Sequence, residues 1–337
     1  MNAALPPQSL VRLLAGLAEL PRDVTVSDLT QDSRSARPGS AFLAVRGTTE
    51  HGLRFAPQAV ANGASAILWE PAPSAVVPDM PSDIVVAPVS HLREHASEIA
   101  SRFFGAPSAQ LSVAGITGTN GKTTCAYLLA QALESAGRAA AYMGTIGNGR
   151  PGRLAASSLT TGDAVTVQRT LCALRASGAA SVAMEVSSHA LDQSRVAAVR
   201  FRTAAFTNLT RDHLDYHGTM DSYGAAKARL FTREQLVSRV INVDDAFGRE
   251  LAIDPFTAGA FVATMMAQVD EFLERGHPWS GVANESVIEA LDSLLPYRRS
   301  RGPRRHCLRA AIPAAPGRFE VVMAEAPTIA INRLGPT

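Results

Sequence analysis

Residues 111–124 read LSVAGITGTNGKTT, and this stretch decides the fold. Leu111–Ile116 is a short, mostly apolar run of β-strand length, of the kind buried in the middle of a sheet. A glycine-rich turn comes next, then helical spacing over about Thr123–Ser135, closed by Gly137. Strand, glycine turn and helix in that order read as a phosphate loop. Glycines let the main chain approach an anion, and the amides of the helix N-terminus point at it. The candidate nucleotide-binding residues are Gly118, Thr119, Asn120, Gly121, Lys122, Thr123 and Thr124. Lys122 can reach the outer phosphates, and the Thr123 hydroxyl can bind Mg²⁺. The general pattern GxxxxGK[ST] wants glycine at 116, where this chain has Ile116. The competing reading is a glycine-rich turn that merely precedes a helix.

Downstream, the same rhythm repeats. Ala140–Thr145, Ser181–Val186, Thr203–Thr207 and Val240–Val243 read as buried strands, and Val165–Ala176 as a helix closed by Gly178. Strands alternating with helices imply right-handed βαβ units and a mostly parallel sheet. Such sheets bind ligands at the carboxyl ends of their strands, so residues just past each strand matter most. Upstream, Ser40–Gly47 and Ala64–Glu70 read as strands, Ala56–Asn62 as a short helix closed by Gly63, and Pro71–Pro81 as a loop. His91–Phe104 has helical spacing and stops at the breaker cluster Gly105-Ala106-Pro107. The expected fold class is α/β. A small N-terminal α/β domain (1–108) precedes a P-loop-like ATPase domain (109–323, with 251–315 divergent), and an irregular tail closes the chain (324–337). Past Leu251, Phe261–Arg275 and Ser286–Leu295 look helical, Tyr297–Arg305 is a basic run, and Phe319–Met323 looks like one more strand.

The bulk numbers exclude several classes. A net charge of +2 over 337 residues demands neither nucleic acid nor an anionic membrane as partner. The basic run reads as a solvated loop. Cys125, Cys172 and Cys307 form no CxxC pair and no disulfide framework, which suits a reducing cytoplasm. No window of about 18 uninterrupted apolar residues exists, and the first residues lack the basic segment and apolar core expected of a signal peptide.

Two further clusters stand at strand ends. Glu185 closes SVAMEV with Ser187 just beyond it, and TNLTRDHLDYHG crowds Asp212, His213 and other polar residues after the next strand. A carboxylate opposite a phosphate loop suits a Mg²⁺-assisted phosphoryl transfer, although helix capping and turn formation are the alternative readings. Lys227, in YGAAKARLF on a helix, reads by itself as surface.

The longer string GITGTNGKTT resembles the ATP loop of the Mur ligases and of their relative folylpolyglutamate synthase. Four further blocks extend the resemblance to the Mur ligases from about residue 28 to about residue 249. FTNLTRDHLDYHG followed by AAKARLF resembles the family block that carries a carbamylated lysine. By that match Lys227 is the carbamylated residue, and Thr123, Glu185, His213 and Lys227 hold Mg²⁺. Lys122, Lys227 and His213 serve catalysis. QDSRSARPGSAFLAVRG resembles the segment that grips the UDP end of the substrate, which implicates Gln31 and Ser33, with Thr48, Thr49 and Glu50 beside the nucleotide. SSLTTGD resembles the TT motif and places Leu159, Thr160 and Thr161 at the muramoyl-peptide site. EVSSHALDQSRV resembles the hallmark of the ligases that add the third amino acid, which implicates Ser187, Gln193 and Arg195.

The resemblance implies ATP and Mg²⁺ as cofactors and UDP-MurNAc-L-Ala-D-Glu and a diamino acid as substrates. It implies a cytoplasmic, monomeric enzyme with neither nucleic acid nor membrane as partner. The implied chemistry is acyl-phosphate ligation, in which no protein nucleophile is required. No residue decides diaminopimelate against lysine. The family pattern also contains features this chain lacks: an adenine-contacting GxFNxxN segment, a DYAHTP motif after PGRFEV (Pro316–Val321 here), and a third domain. The expectation is therefore a C-terminally truncated ligase. The alternative is an inactive remnant that binds UDP-muramoyl peptide or ATP, and an unrelated P-loop ATPase is a poorer third reading.

Overall fold

The computed structural model describes residues 6–47, 50–73, 75–157 and 159–252, and the main chain of 319–323 and 328–333. The chain forms two compact units. The first comprises Met1–Ala204 and His213–Leu236; the second comprises Ala205–Asp212 and the chain from Val237 onward.

The first unit opens with β1 (Gln8–Ser9), α1 (Leu10–Leu13), β2 (Thr25–Val26), β3 (Asp28–Thr30), β4 (Ser40–Ala44), α2 (Ala56–Ala61), β5 (Ala64–Trp69), β6 (Val85–Pro88) and α3 (Leu92–Phe103). Strands β3-β4-β5-β6 make a parallel four-stranded sheet. Every residue of β4 is buried. Side chains alternate across a strand, and Ala41 and Leu43 accordingly join one apolar cluster with Leu10, Leu92, Ile99 and Phe103. Phe42 and Ala44 join the other, with Ala56 and Ala59 of α2. Both faces are covered, which is why this strand reads as an unbroken apolar run.

The same unit continues with β7 (Ser112–Thr117), α4 (Lys122–Ser135), β8 (Ala140–Gly144), β9 (Gly147–Arg150), β10 (Arg153–Ala155), α5 (Ala164–Ala176), β11 (Ser181–Glu185), α6 (Ser188–Asp192), β12 (Phe201–Phe206), α7 (Leu214–His217) and α8 (Met220–Ala228). Its strand order is β10-β9-β8-β11-β7-β12. β11 lies parallel between β7 and β8, and β9 turns back antiparallel on β8. The carboxyl ends of β7, β8 and β11 are therefore neighbours. Ala164 and Val165 of α5 complete the core that α1, α3 and the small sheet share, and Arg169 of α5 pairs with Asp28 at 2.8 Å.

The second unit holds β13 (Ser238–Asn242), α9 (Ala246–Ala252), β14 (Phe319–Met323) and β15 (Thr328–Arg333). β15 pairs parallel with β13 and antiparallel with β14. The tail expected to be irregular thus contains a strand at Thr328–Arg333. Alternation in TIAINR over only six residues was too short to read without its partner strands. The strand expected over Ser40–Gly47 stops at Ala44, and the helices expected over Phe261–Arg275 and Ser286–Leu295 lie outside the described residues.

Candidate active site

The phosphate loop joins β7 to α4. Ile116 stays within β7, buried, its carbonyl accepting from the Val186 amide at 2.8 Å. The turn therefore begins two residues later than the general pattern requires, and Gly118 supplies the positive φ of 146°. Gly121, at φ 80°, is the N-cap of α4 and offers no side-chain acceptor, so the amides of the first helical turn have no side-chain cap. Lys122 Nζ donates to the carbonyls of Gly118 at 2.9 Å and Thr119 at 2.8 Å. Its charge sits over the mouth of the loop.

Beside the loop, Glu185 ends β11, 1% exposed. Thr123 Oγ1 donates to its Oε2 at 2.9 Å, which ties the phosphate loop to the strand-end carboxylate. The Thr145 amide donates to Oε1 at 2.9 Å, Thr145 Oγ1 lies 3.3 Å from Oε2, and the Tyr142 hydroxyl donates to Oε1. Gly144 makes room for the carboxylate: a Cβ there would press on Glu185 Oε1.

The TT segment lies alongside. Thr161 Oγ1 donates to the Glu185 carbonyl at 3.0 Å and accepts from the Ser187 amide at 3.1 Å, while Thr160 Oγ1 accepts from Thr145 Oγ1 at 2.9 Å. Thr160 and exposed Leu159 line a cleft with Met143, Asn148, Asp163 and Thr166. Ser187 caps α6, its Oγ accepting from the Ala190 amide at 3.2 Å. Arg195 donates through Nε and Nη2 to Gln193 Oε1 at 3.0 and 2.6 Å, and through Nη1 to the Thr161 carbonyl at 3.1 Å. Burial draws the Arg195 guanidinium below its ordinary value. Gln193 Nε2 continues to the Tyr216 hydroxyl at 3.0 Å, which donates to Asp192 at 2.8 Å.

An aromatic cluster stands next to these residues. The His189 ring lies 4.9 Å from His213, 4.2 Å from Tyr216 and 5.4 Å from His217. His213 and His217 both border the buried Tyr223 ring, at 6.0 and 5.1 Å. Lys227 is no surface residue: it is 1% exposed, with Nζ 4.2 Å from the Tyr223 ring centroid and donating to the Gly118 carbonyl at 2.8 Å. The Tyr223 hydroxyl is 3.3 Å from Thr119 Oγ1. Tyr223 therefore links the loop, Lys227 and His213. His213 takes a left-handed conformation, φ 50°, at the start of α7.

The N-terminal substrate candidates are more dispersed. Ser33 is buried and donates to Gln58 Oε1 at 2.6 Å, and Gln31 Oε1 accepts from the Val165 amide at 3.4 Å, at the start of α5. Glu50 pairs with Arg54. Thr48 and Thr49 lie outside the described residues.

The oxygens suit a hard divalent cation. Thr123 Oγ1 and Glu185 Oε2 stand together, and among the described residues no three His, Cys, Asp or Glu gather as a ligand set. That donor set fits Mg²⁺, which is usually held by one or two carboxylates plus substrate phosphates rather than by an all-protein cage. Sequence reasoning missed Tyr142, Thr145 and Tyr223. The available signal was a hydroxyl-bearing aromatic inside an apolar strand, because a buried phenol needs a partner.

A glycine-rich loop, a strand-end carboxylate and the threonine and arginine motifs beside them thus gather at the carboxyl ends of neighbouring strands. The chain belongs to the Mur ligase family: the model for its catalytic domain matches residues 25–104 and that for the Mur ligase middle domain matches residues 116–267. It is 53% identical over 249 residues to the UDP-N-acetylmuramoyl-L-alanyl-D-glutamate--2,6-diaminopimelate ligase of Xanthomonas campestris, across 73% of this chain and 50% of that relative. The ligase of the same name from Pseudomonas aeruginosa is 48% identical over 246 residues, again across 73% and 50%. A solved structure bearing that ligase name superposes with a TM-score of 0.61 at 32% identity, covering 73% of this chain and 49% of the other. MurF from Acinetobacter baumannii shares the fold, with a TM-score of 0.53 at 23% identity over 74% and 51% of the two chains. The chain spans about half the length of the curated relatives it matches.

Proposed function

We propose that this chain carries the ATP- and muramoyl-peptide-handling part of a cytoplasmic, monomeric ligase that joins meso-diaminopimelate to UDP-MurNAc-L-Ala-D-Glu. The observation that carries the reading is the 2.9 Å bond from Thr123 in the phosphate loop to Glu185 at the end of the neighbouring strand. It sets a cation-binding oxygen pair beside a loop built for phosphates, two residues from Ser187 and next to the Thr161–Arg195 network. The names of the relatives supply the substrate class.

When bound, ATP supplies the phosphoryl group that activates the D-glutamate carboxylate as an acyl phosphate, and Mg²⁺ offsets the charge of the phosphates. Lys122 and the amides of α4 orient the phosphates and stabilise charge that develops in transfer. Thr123, Glu185, His213 and Lys227, the last as its carbamate, hold the cation. Arg195 and Gln193 orient the muramoyl peptide, since a guanidinium fork suits carboxylate and phosphate groups. Gln31, Ser33 and the segment 48–50 receive the uridine end. The incoming amine attacks the acyl carbon, and phosphate leaves.

The experiment is ADP release by the purified chain with ATP, Mg²⁺ and UDP-MurNAc-L-Ala-D-Glu, with and without meso-diaminopimelate and with L-lysine in its place. Release that needs both substrates and prefers diaminopimelate supports the reading. Normal binding of the UDP substrate without release makes the chain a binding module with the family's grip and not its chemistry.

A further inference from the structure

Glu185 is held asymmetrically. Its Oε1 accepts from the Tyr142 hydroxyl and from the Thr145 amide at 2.9 Å, two directed donors for the two lone pairs of that oxygen. Oε2 faces threonine hydroxyls instead: Thr123 donates at 2.9 Å, and Thr145, whose proton goes to Thr160, lies at 3.3 Å. Hydroxyls rotate and can turn a lone pair towards an incoming cation, whereas a main-chain amide cannot.

The phenol is also fixed. Tyr142 is fully buried in β8, its ring edge-on to Tyr127 at 5.6 Å, and its oxygen accepts from the Ile146 amide at 3.4 Å. A Cβ at Gly144 would stand 2.5 Å from that hydroxyl oxygen, so the glycine opens the space in which phenol and carboxylate meet. A phenylalanine would fill the same strand position without the buried hydroxyl, which costs free energy unless it is paired.

We propose that Tyr142 is a positioning residue: with the Thr145 amide it saturates Oε1 of Glu185, so that Oε2, beside Thr123 Oγ1, is the oxygen offered to a divalent cation. The inference rests on the reading above that Glu185 holds the cation. Groups that orient a ligand from outside the coordination sphere typically alter metal affinity 10–100-fold when removed.

The test is an electron paramagnetic resonance titration of the full chain with Mn²⁺ in the presence of β,γ-imido-ATP, comparing the parent protein, Tyr142→Phe and Glu185→Gln. Nucleotide binding in EDTA and the thermal midpoint are measured in parallel. Tyr142→Phe should weaken Mn²⁺ binding by roughly 10–100-fold and leave metal-free nucleotide binding unchanged. Mn²⁺ affinity unchanged in a folded Tyr142→Phe, alongside a large loss in Glu185→Gln, overturns the positioning role and leaves the Glu185 reading standing. Equal weakening of metal-free nucleotide binding in Tyr142→Phe also overturns it, because the change is then a general distortion. Parent-like Mn²⁺ binding by Glu185→Gln removes the underlying reading, and the proposal with it.

Discussion

Two regions flank the phosphate loop, and they are built on different principles. On one side is the Glu185 corner, where short directed hydrogen bonds from Thr123, Thr145 and Tyr142 converge on one buried carboxylate. On the other is the cluster of His189, His213, His217, Tyr216 and Tyr223, where rings pack on rings and Lys227 lies against one of them. The corner joins the ends of β8 and β11, whose parallel register sets its geometry, to Thr123 in the first turn of α4. The cluster is assembled from α6, α7 and α8, which no register fixes, and packing alone aligns it. The corner therefore holds its groups by directed hydrogen bonds, and the cluster sets His213 and Lys227 by ring packing.

The sharpest way to break this contrast is to remove charge from the loop. Lys122→Ala should lower substrate-dependent ADP formation by about 10²–10³-fold, the usual cost of losing a transition-state charge partner, with little change in melting temperature. A large fall in melting temperature would show that Lys122 holds the loop together instead. Lys227→Ala should cut turnover sharply as well, and unchanged activity would sink its role at the cation.

A smaller effect is expected within the corner. Gly144→Ala forces a methyl group against Glu185 and the Tyr142 hydroxyl. Overpacking of this kind costs roughly 1–3 kcal/mol, read by urea denaturation, and should weaken cation binding along with stability. A stable variant with normal Mn²⁺ affinity would mean that the corner is pliant.

In the cluster, Tyr223→Leu keeps an apolar side chain and removes the ring face under Lys227. A desolvated cation–π contact with the uncarbamylated lysine is worth about 2 kcal/mol, so the stability of the unmodified chain should fall by at least about that much, while turnover drops as Lys227 loses its seat. Full turnover would show that the Gly118 carbonyl alone positions the lysine.

The smallest effect concerns pH. Burial, then the neighbouring His213 and His217, holds His189 below its ordinary value of 6.5. The unfolded chain therefore takes up the proton first. Stability from this residue is complete above pH 6.5 and is lost as pH falls below it through the lower folded value. Melting curves from pH 7.5 down to 5 should show this decline, and His189→Gln should flatten it. An unchanged slope would assign the acid sensitivity to another group.

The two family matches, over 25–104 and 116–267, contain the motifs read between about 28 and 249. Thr117–Thr124 announces itself because a loop that binds phosphates needs particular residue types in particular order. Glu185 stands at a strand end with helix capping as an alternative reading, and the SHALDQSRV segment is legible only through its resemblance to the Mur ligases. Lys227 and Tyr142 do not announce themselves. A helical lysine reads as surface, and a tyrosine in an apolar strand reads as core, until the residues across from them are known.

The sequence by itself determined the alternation of strands and helices, the phosphate loop and the placement of a carboxylate at the end of β11, since each depends on local spacing and backbone chemistry. Only the tertiary structure decided that Thr123 meets Glu185 across 62 positions of sequence and that Lys227 reaches Gly118 across 109. It also decided that Tyr142 and Gly144 shape the carboxylate between them. Contacts of that range are fixed by strand order and packing, and neither is written in any single segment of the chain.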